Sequence, residues 1–361
     1  MIFYCRSSHY HAYLSCIFFI AVGVWLYYFW QFEIQDEAMM LSLAITNPTE
    51  RPPRRPRPSC HSKTNKTARI HFPLSVTTRN LKNKINRVED LPLIQYALAS
   101  IVDTIEPELF DYGIYIAADQ GDPWLDNTTH LASIRTWFEN YFYDVWNSRF
   151  CVPELEFFIY VNTHSRNTWA INYVTQIAFE RGYDYFYRIN DDSILSRDRW
   201  SSQYVTVMRA MRPFPNVGVV GPWDAFFSGK VLTHSFISRL HLHIYGTHFN
   251  FLYGNWYSDP WIQEIYSSPY PEHPNATFTS MAVILVSVKV KHLVLKSRYE
   301  VQATVALHKQ QVLIDREVFH TYLLKELDKL YPKPKKPRII YRELKTPLVQ
   351  AGVKSLNKKI S

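Results

Sequence analysis

Between residues 110 and 221, apolar segments of strand length alternate with longer segments of helical periodicity, and this alternation restricts the fold more than any other feature. The predicted strands are 112–118, 155–161, 185–189 and 217–221. Two predicted helices lie between them, one over 128–146 and one from Asn167 to a stop at Gly182. Strands that alternate with helices form a mostly parallel sheet with right-handed crossovers. The sequence therefore predicts an α/β fold with a mostly parallel central sheet flanked by helices.

Acidic residues follow two of the predicted strands. Asp119 comes after the first strand, and Asn190, Asp191 and Asp192 follow the third. Ligands of such sheets lie beyond the carboxyl ends of the strands. Adjacent carboxylates repel each other, and Mg²⁺ or Mn²⁺ relieves that repulsion while it also binds the oxygens of a substrate diphosphate. An Asp pair before Ser193 is also typical of a helix N-cap, but its position after a predicted buried strand favours a divalent-metal site.

Several common catalytic and binding motifs do not occur in the sequence. Its ten glycines form neither a GxGxxG fingerprint nor a P-loop, and it contains no GxSxG, HExxH or CxxC motif. A diphosphate would therefore be held by a metal ion and side chains rather than by a glycine-rich loop. His234, His241 and His243 have spacings that fit no compact zinc motif, and we interpret their segment as a binding-site loop rich in aromatic residues and histidine.

The net charge of +8 comes from two segments outside the predicted globular region. Residues 51–66 contain six basic and no acidic residues, and residues 333–361 contain nine basic residues and one acidic residue. The remainder of the chain is therefore acidic overall. Because nucleic-acid-binding domains carry a basic folded face, this distribution argues against a nucleic acid partner.

An uncharged, strongly apolar run near the amino terminus predicts a membrane anchor. Residues 13–30 carry no charge, and the run extends to residue 32, about the length of a transmembrane helix. Arg6 precedes the run and acidic residues follow it, which by the positive-inside tendency leaves the amino terminus in the cytoplasm. A cleaved signal peptide, the alternative, has a shorter apolar region that ends in small residues. We therefore predict a single-pass type II protein of the Golgi or endoplasmic reticulum membrane.

The composition divides the chain into five segments. They are a cytoplasmic tail (1–12), a transmembrane signal anchor (13–32), a proline-rich basic stem (33–67), a globular lumenal domain (68–330, clearest over 110–320) and a basic tail (331–361). Three Asn-X-Ser/Thr sequons, at Asn65, Asn127 and Asn275, agree with a lumenal location. In an oxidising lumen, Cys60 and Cys151 would form a disulfide or stay as two separate thiols, and the sequence favours neither.

One segment resembles a known enzyme family. Residues 182–193, GYDYFYRINDDS, are similar to the DxD region of the GT-A glycosyltransferases. The segments VGVVGPWD, LTHSFISRLHLHIYG and NWYSDPWIQEIY follow in an order and spacing similar to a poorly characterised group of eukaryotic type II membrane glycosyltransferase-like proteins. The resemblance covers about residues 110–320. It implies a GT-A, Rossmann-like fold, a nucleotide-sugar donor (a UDP-sugar above all), Mn²⁺ or Mg²⁺, and a glycan or glycoprotein acceptor.

The resemblance also implies roles for five residues. Asp191 and Asp192 would hold the metal ion and the diphosphate, and Asp119 would lie near the nucleotide base or ribose. Asp259 would be the general base that takes a proton from the acceptor hydroxyl in an inverting transfer. His292 would be a third metal ligand. The last two have structural alternatives, because an Asp before proline suits the first turn of a helix and a lone His in a strand-like segment is often structural.

Two residues depart from the family pattern and keep a second hypothesis open. Asn190 stands where a first acidic residue of a DxD motif is expected, and Pro260 stands where related sequences have a second acidic residue. On that hypothesis the chain is a membrane-tethered sugar- or partner-binding protein of the same fold without catalytic activity. A metal-dependent phosphoesterase is disfavoured, because too few His and Asp residues cluster for a two-metal site.

Three aromatic residues surround Asp259 in the sequence. Trp256, Tyr257 and Trp261 would stack on an acceptor sugar or fill the core, and we assign at least one of them to the core.

Overall fold

The computed structural model describes residues 66–79, 81, 85–147, 149–160, 166–196, 199–293 and 304–332. Within these residues, eight strands form one sheet. The strands are β1 (Ala68–Ser75), β2 (Phe110–Asp119), β3 (Glu154–Tyr160), β4 (Tyr185–Tyr187), β5 (Ser193–Leu195), β6 (Val219–Asp224), β7 (Phe236–Ser238) and β8 (Ala282–His292). The helices are α1 (Ala99–Thr104), α2 (Thr128–Trp146), α3 (Asn167–Glu180), α4 (Trp200–Ala210), α5 (Arg239–Tyr245), α6 (Ser258–Ile265) and α7 (Val305–Leu330). A 3-10 turn at Val88–Asp90 and a π-helical segment at Leu93–Leu98 precede α1.

The directions of the strands bring the carboxyl ends of six strands to one edge of the sheet. The strand order is β3-β2-β1-β4-β7-β6-β8-β5. Four pairs are parallel: β1 with β2, β1 with β4, β2 with β3, and β6 with β8. Because β7 is antiparallel to both β4 and β6, strands β6 and β8 run in the same direction as β1–β4. Strands β1–β4, β6 and β8 all end at one edge of the sheet, which we call the carboxyl edge. Strand β5 begins at this edge, because it is antiparallel to β8.

Helices cover both faces of the sheet, because the side chains that alternate along the central strands are apolar on both faces. In β1, Ile70, Phe72 and Leu74 are fully buried on the face where α1, α2 and α4 pack. On the other face, Tyr115 and Ala117 of β2 pack with residues of α3, α5, α6 and α7. The predicted α/β fold, with a sheet in which parallel pairs are the majority and helices on its flanks, is confirmed.

The sequence pattern missed several elements, and the central strand β1 is one of them. Its sequence, ARIHFPLS, places Arg69, His71 and Pro73 among the apolar residues, so it lacks a clear strand pattern. Proline normally interrupts a central strand, because it has no N–H to donate. Here β1 pairs with β4 only at Ile70 and His71, so Pro73 lies beyond that ladder.

The other predicted elements are confirmed, with small shifts at their ends. The predicted helix over 128–146 coincides with α2. Asn167 is the first residue of α3 rather than its cap, and Gly182 follows the helix with a φ of +83°, a conformation that glycine commonly adopts after helices. The N-cap interpretation of Asp191 and Asp192 is wrong, because the next residues form β5 and helix α4 begins only at Trp200.

In the described ranges, no helix combines the length and the apolar composition needed to cross a membrane. The predicted anchor at 13–32 lies outside the described residues, as do most of the stem, Asn65 and Cys60. The anchor and the pairing of Cys60 with Cys151 therefore stay predictions.

A buried carboxylate fastens helix α7 to the rest of the domain. Oδ2 of Asp315 accepts hydrogen bonds from Nδ2 of Asn250 at 2.9 Å, Nε1 of Trp261 at 2.8 Å and Nε2 of Gln311 at 3.0 Å. Burial raises the pKa of Asp315 above its ordinary value, and the three hydrogen bonds offset this shift only in part. The folded protein therefore binds a proton at Asp315 more readily than the unfolded chain does.

Replacing Asp315 with asparagine is expected to change the pH dependence of stability. Because the pKa is raised in the folded state, the contribution of Asp315 to the free energy of unfolding is greatest below the unfolded pKa of about 4 and falls as pH rises through the folded pKa. The stability of Asp315→Asn relative to wild type should therefore rise as pH increases above about 4, as measured by urea unfolding. Asp328→Asn, at an exposed position of the same helix, is the matched control. A difference from wild type that does not change with pH would contradict this expectation.

Candidate active site

The turn between β4 and β5 places two carboxylates at the carboxyl edge. Asp191 and Asp192 are both buried, with exposed fractions of 4% and 5%. The N–H of Ser193 closes the turn by donating to the carbonyl oxygen of Asn190 at 3.2 Å. The N–H of Leu293 donates to the carbonyl oxygen of Asp192, also at 3.2 Å, and ties the turn to the residue after β8. The backbone of the Asp pair is therefore held from two elements.

The last residue of β8 lies beside this turn. In the antiparallel pairing of β5 with β8, His292 is opposite Ser193. The backbone of His292 is therefore next to the residue that follows Asp192. This register agrees with the expected closeness of His292 to the Asp pair, and its role as a metal ligand stays a prediction.

Asp119 ends β2, which is separated from β4 only by β1 in the sheet. Nη1 of Arg79 lies 3.5 Å from Oδ2 of Asp119, and Nη2 of Arg79 donates to the carbonyl oxygen of Gln120 at 3.0 Å. Arg79 follows β1, and its side chain is 38% exposed, so it presents a positive charge to solvent at the carboxyl edge. Sequence patterns did not predict Arg79, because its closeness to Asp119 depends on the pairing of β1 with β2.

A buried aspartate joins the loops that follow β1 and β2. Asp122 accepts hydrogen bonds from the hydroxyl groups of Thr77 and Thr78 and, at 2.7 Å, from the N–H of Thr78. It also accepts the N–H groups of Trp124 and Leu125. These bonds fix the two loops against each other, and with them the positions from which Arg79 and Asp119 extend.

Asp259 lies at the start of helix α6 and contacts a residue that follows β4. It lies in the first turn of the helix and is followed by Pro260, so the interpretation of this residue as part of a helix start is confirmed. Oδ1 of Asp259 also lies 3.3 Å from Nη1 of Arg188. Arg188 follows β4, is buried, and also donates to the carbonyl oxygen of Thr233. The ion pair therefore holds Asp259 beside the segment that leads from β4 to Asp191.

A series of hydrogen bonds between buried side chains runs from the end of β6 to Ser193. The hydroxyl group of Thr233 donates to Oδ2 of Asp224 at 2.7 Å, and Oγ1 of Thr233 also lies 2.7 Å from Nδ1 of His234. Nε2 of His234 lies 2.7 Å from Oγ of Ser193. All four residues are buried. We call Asp224, Thr233, His234 and Ser193 the buried hydrogen-bond chain.

Asp224, at one end of the buried hydrogen-bond chain, sets the direction of its hydrogen bonds, because a carboxylate only accepts. The hydroxyl proton of Thr233 is donated to Asp224, so Oγ1 of Thr233 accepts from Nδ1 of His234. In a neutral imidazole, Nε2 is then an acceptor, and it accepts the hydroxyl proton of Ser193. With a neutral imidazole, the hydroxyl group of Ser193 is therefore the donor to Nε2 of His234.

The histidines after His234 have structural surroundings. His241 lies in α5, where Nε2 donates to the carbonyl oxygen of His248 at 3.0 Å and Nδ1 accepts from the hydroxyl group of Tyr266 at 2.8 Å. Burial lowers the pKa of His241 to about 4, so this residue is neutral at physiological pH. His243 is exposed on the same helix. The interpretation of this segment as a loop is wrong for residues 236–245, which form strand β7 and helix α5, whereas His234 lies in the loop before β7.

The three aromatic residues near Asp259 have different surroundings. Trp261 is fully buried, and its Nε1 donates to Asp315. The ring of Tyr257 stacks on that of His308, with 5.1 Å between ring centroids. Trp256 is 51% exposed. The assignment of at least one of these residues to the core is confirmed by Trp261, and Trp256 offers an indole ring to solvent.

The donor atoms at the carboxyl edge suit a hard divalent cation. Asp191 and Asp192 supply carboxylate oxygens, and Mg²⁺ is commonly bound by one or two such groups together with substrate phosphates. Among the residues that the structure describes, no group of three or more His, Cys, Asp or Glu side chains is placed to hold a metal ion. The two carboxylates would therefore form a partial set of ligands, to which a nucleoside diphosphate adds its own oxygens.

Two clefts lie away from these residues. One of about 500 Å³ runs along α2 beside Trp137 and Tyr141. The other, of about 430 Å³, lies next to Tyr185 and Arg239, at the amino ends of β1 and β4. Neither is lined by a predicted site residue. The candidate active site is therefore defined by the side chains at the carboxyl edge and not by either of these clefts.

Comparison with known proteins gives distant similarities. No protein-family model and no curated protein matches the chain. Among solved structures, the mannosyltransferase PcManGT from Pyrobaculum calidifontis, in complex with GDP-Man and Mn²⁺, is 12% identical, with a TM-score of 0.40 over 80% of this chain and 75% of that chain. TarS 1-349 of S. aureus is 9% identical, with a TM-score of 0.36 over 74% of this chain and 75% of that chain. At these values the similarities do not assign a function, which must be inferred from the residues at the carboxyl edge.

Proposed function

We propose that the chain is a metal-dependent glycosyltransferase with a GT-A fold, which transfers a sugar from a nucleotide diphosphate sugar, first of all a UDP-sugar, to a hydroxyl group of a glycan or glycoprotein. The observation that carries this proposal is the pair of buried adjacent carboxylates, Asp191 and Asp192, in the turn between β4 and β5. Asp119 ends β2 at the same edge of the sheet, and Asp259 pairs with Arg188, which follows β4. The resemblance of residues 182–193 to a DxD region supports the same function.

The donor side of the proposed site comprises the end of β2 and the turn between β4 and β5. Asp191 and Asp192 would hold Mn²⁺ or Mg²⁺, and His292 would add a third ligand. A divalent ion bound there supplies positive charge that stabilises the nucleoside diphosphate as it leaves the sugar. Asp119 would bind the ribose or the base by accepting hydrogen bonds. Arg79, which is partly exposed beside Asp119, would contribute a second positive charge toward the anionic donor.

The acceptor side of the proposed site is the start of α6. Asp259 would take the proton of the acceptor hydroxyl group as its oxygen attacks the anomeric carbon. Arg188, buried and 3.3 Å from Oδ1, orients this carboxylate. The exposed indole of Trp256 lies three residues before Asp259 and offers an apolar surface on which the C–H groups of a sugar ring can pack.

A non-catalytic sugar-binding protein of the same fold is the second candidate. The ion pair between Arg188 and Asp259 favours it, because that interaction must weaken before Asp259 can accept a proton. Asn190, in place of a first acidic residue, favours it as well. Such a protein would bind a nucleotide sugar together with a metal ion and would not cleave it.

A screen of sugar donors separates the two candidates. The purified full-length protein is incubated with a panel of nucleotide sugars in Mn²⁺, Mg²⁺ or EDTA, and thermal stability and release of nucleoside diphosphate are measured in parallel. A glycosyltransferase should release nucleoside diphosphate from at least one donor, and only with metal. A binding protein should show metal-dependent stabilisation without release. A chain that shows neither effect with any donor would contradict both candidates.

We also propose that the chain is a single-pass type II protein of the Golgi or endoplasmic reticulum, with residues 68–330 in the lumen. The uncharged run over 13–32 supports this topology. Two sequon asparagines of the described chain, Asn127 and Asn275, are exposed. Oδ1 of Asn127 caps α2 by accepting the N–H of Thr129 at 2.9 Å, and a glycan attached to Nδ2 would leave this acceptor in place.

N-linked glycans at Asn127 and Asn275 are the expected consequence of this topology. Treatment of the protein from secretory cells with an N-glycosidase should increase its electrophoretic mobility, and Asn127→Gln and Asn275→Gln should each remove one step of that shift. Asn47→Gln is the matched control, because Pro48 blocks its sequon. A chain with unchanged mobility after glycosidase treatment would contradict the lumenal location.

A further inference from the structure

The buried hydrogen-bond chain takes no part in the steps proposed above, although Ser193 directly follows Asp192. Its serine, histidine and aspartate resemble the series found in hydrolases, in which the serine attacks a substrate. Ser193 and His234, however, have no exposed surface. A serine that a substrate cannot reach is not a nucleophile. The buried hydrogen-bond chain must therefore act on the structure of the site.

We propose that His234 is a positioning residue, which fixes the turn that carries Asp191 and Asp192 for binding of a divalent cation. The inference rests on the proposed function for the identity of that ligand. In the buried hydrogen-bond chain, the ring of His234 joins the segment before β7 to the start of β5, since Nδ1 contacts Thr233 and Nε2 contacts Ser193. Without the imidazole ring of His234, the buried hydrogen-bond chain no longer joins Thr233 to Ser193.

Ser193 is the point at which the turn is fixed. Its N–H donates to the carbonyl oxygen of Asn190, its hydroxyl group donates to His234, and its strand partner is His292. Asp192 is bonded to Ser193 and is held on its other side by the N–H of Leu293. A shift of Ser193 would therefore move the Asp192 carboxylate and its relation to β8.

The other end of the chain is anchored to the loop after β6. Oδ1 of Asp224 accepts the N–H of Phe226 at 2.9 Å, while Oδ2 accepts the hydroxyl proton of Thr233. Thr233 also receives a hydrogen bond from Arg188 at its carbonyl oxygen, and Arg188 pairs with Asp259. Thr233 and Arg188 thus connect the turn that carries Asp191 and Asp192 to Asp259, the proposed general base.

His234 contacts Ser193, which is bonded to Asp192, so it would hold a proposed metal ligand through one intervening residue. Side chains that orient metal ligands in this way commonly change metal affinity about 10- to 100-fold when they are replaced.

The test compares His234→Leu, His234→Gln and Ser193→Ala in the full-length protein. Leucine removes both hydrogen bonds of the ring, whereas glutamine offers an oxygen that can accept the Ser193 hydroxyl proton. His241→Leu is the matched control, because His241 is equally buried and makes two hydrogen bonds, but within α5 and its surroundings. Two quantities are measured: Mn²⁺ affinity in the presence of UDP, and amide hydrogen exchange of residues 190–195 and of Leu293 without metal.

We expect His234→Leu to weaken Mn²⁺ binding about 10- to 100-fold and to speed amide exchange in the turn, with partial rescue in His234→Gln. The double variant His234→Leu/Ser193→Ala should bind Mn²⁺ no more weakly than His234→Leu alone, since both substitutions break the same series of hydrogen bonds. His241→Leu should lower stability and leave both quantities unchanged. If His234→Leu does not fold, the Mn²⁺ affinity and amide exchange of His234→Gln and Ser193→Ala test the positioning role.

Folded variants at His234 and Ser193 with wild-type Mn²⁺ affinity and wild-type amide exchange would overturn the positioning role. A wild-type protein that binds no Mn²⁺ with UDP would instead contradict the proposed function. In that case, the exchange of the turn still shows whether His234 fixes it, so the two failures are distinguishable.

Discussion

The Asp192→Asn variant is expected to lose about a thousandfold in turnover of the nucleotide sugar while it keeps its fold. Asparagine has nearly the volume of aspartate, so the packing of the buried turn is retained, but the side chain no longer carries a charge. Without a bound cation, the departing nucleoside diphosphate loses the positive charge that stabilises it. Turnover is measured with Mn²⁺ at saturating donor, and thermal unfolding monitors the fold.

Asp184→Asn is the matched control for this substitution. Asp184 precedes β4 at its amino end, where Oδ2 accepts the N–H of Arg69 at 2.8 Å, whereas Asp192 follows β4 at the carboxyl edge. A loss that reflects general damage to the sheet would occur in both variants. We expect turnover to fall only in Asp192→Asn. Turnover that persists in Asp192→Asn at the wild-type level would show that Asp192 is not part of the metal site.

The second large effect is expected for Asp259→Asn, which should reduce transfer to the acceptor about 10²- to 10⁴-fold. An amide cannot accept the proton of the acceptor hydroxyl group at neutral pH. Because Asp259 acts on the acceptor, the affinity for nucleotide sugar and Mn²⁺ should stay close to that of the wild type. Initial rates of transfer and isothermal titration with the donor measure the two quantities separately.

The control for Asp259→Asn is Glu264→Gln, which also removes a carboxylate from α6. Glu264 lies 3.4 Å from Nε2 of His308 and is about half exposed, away from Arg188. Its replacement should leave transfer unchanged. Transfer at the wild-type rate in Asp259→Asn would contradict its role as general base. Equal losses of donor affinity and of transfer would place Asp259 on the donor side of the site.

Much of the fold follows from local sequence patterns. The helical periodicity of residues 128–146 coincides with α2, because its apolar residues meet one face of the sheet and its caps are local. Strand β2 is a continuous apolar run between two paired strands. Strand β1 was missed, since its Pro73 is compatible with a central strand only where the neighbouring strand β4 no longer pairs. That condition is set by tertiary structure and has no local signal.

The candidate site was predictable where an acidic residue directly follows an apolar strand. Asp119, Asp191 and Asp192 have this pattern, and the structure places all three at the carboxyl edge. Asp224 ends the segment VGVVGPWD, but the predicted strand stopped at residue 221, three residues before it. In the protein, β6 continues through Pro222 to Asp224, with an irregular register against β8 at Pro222 and Trp223.

The contacts that organise the site could not be predicted from the sequence. His234 and Ser193 are 41 residues apart, and Asp259 and Arg188 are 71 residues apart. No spacing rule relates residues at such distances, because their meeting depends on the order of β4, β7 and β6 in the sheet. The sequence holds only a weaker signal: Thr233 and His234 directly precede the short segment SFIS and follow Asp224.

The most direct test of the central claim is a titration of UDP into the full-length protein. The claim is that Asp191 and Asp192 bind a divalent cation jointly with a nucleoside diphosphate. The wild type and the double variant Asp191→Asn/Asp192→Asn are each titrated in Mn²⁺ and in EDTA. We expect Mn²⁺ to tighten UDP binding at least about tenfold in the wild type and to have no effect in the double variant. UDP affinity that does not depend on Mn²⁺, or a Mn²⁺ effect that survives in the double variant, would contradict the claim.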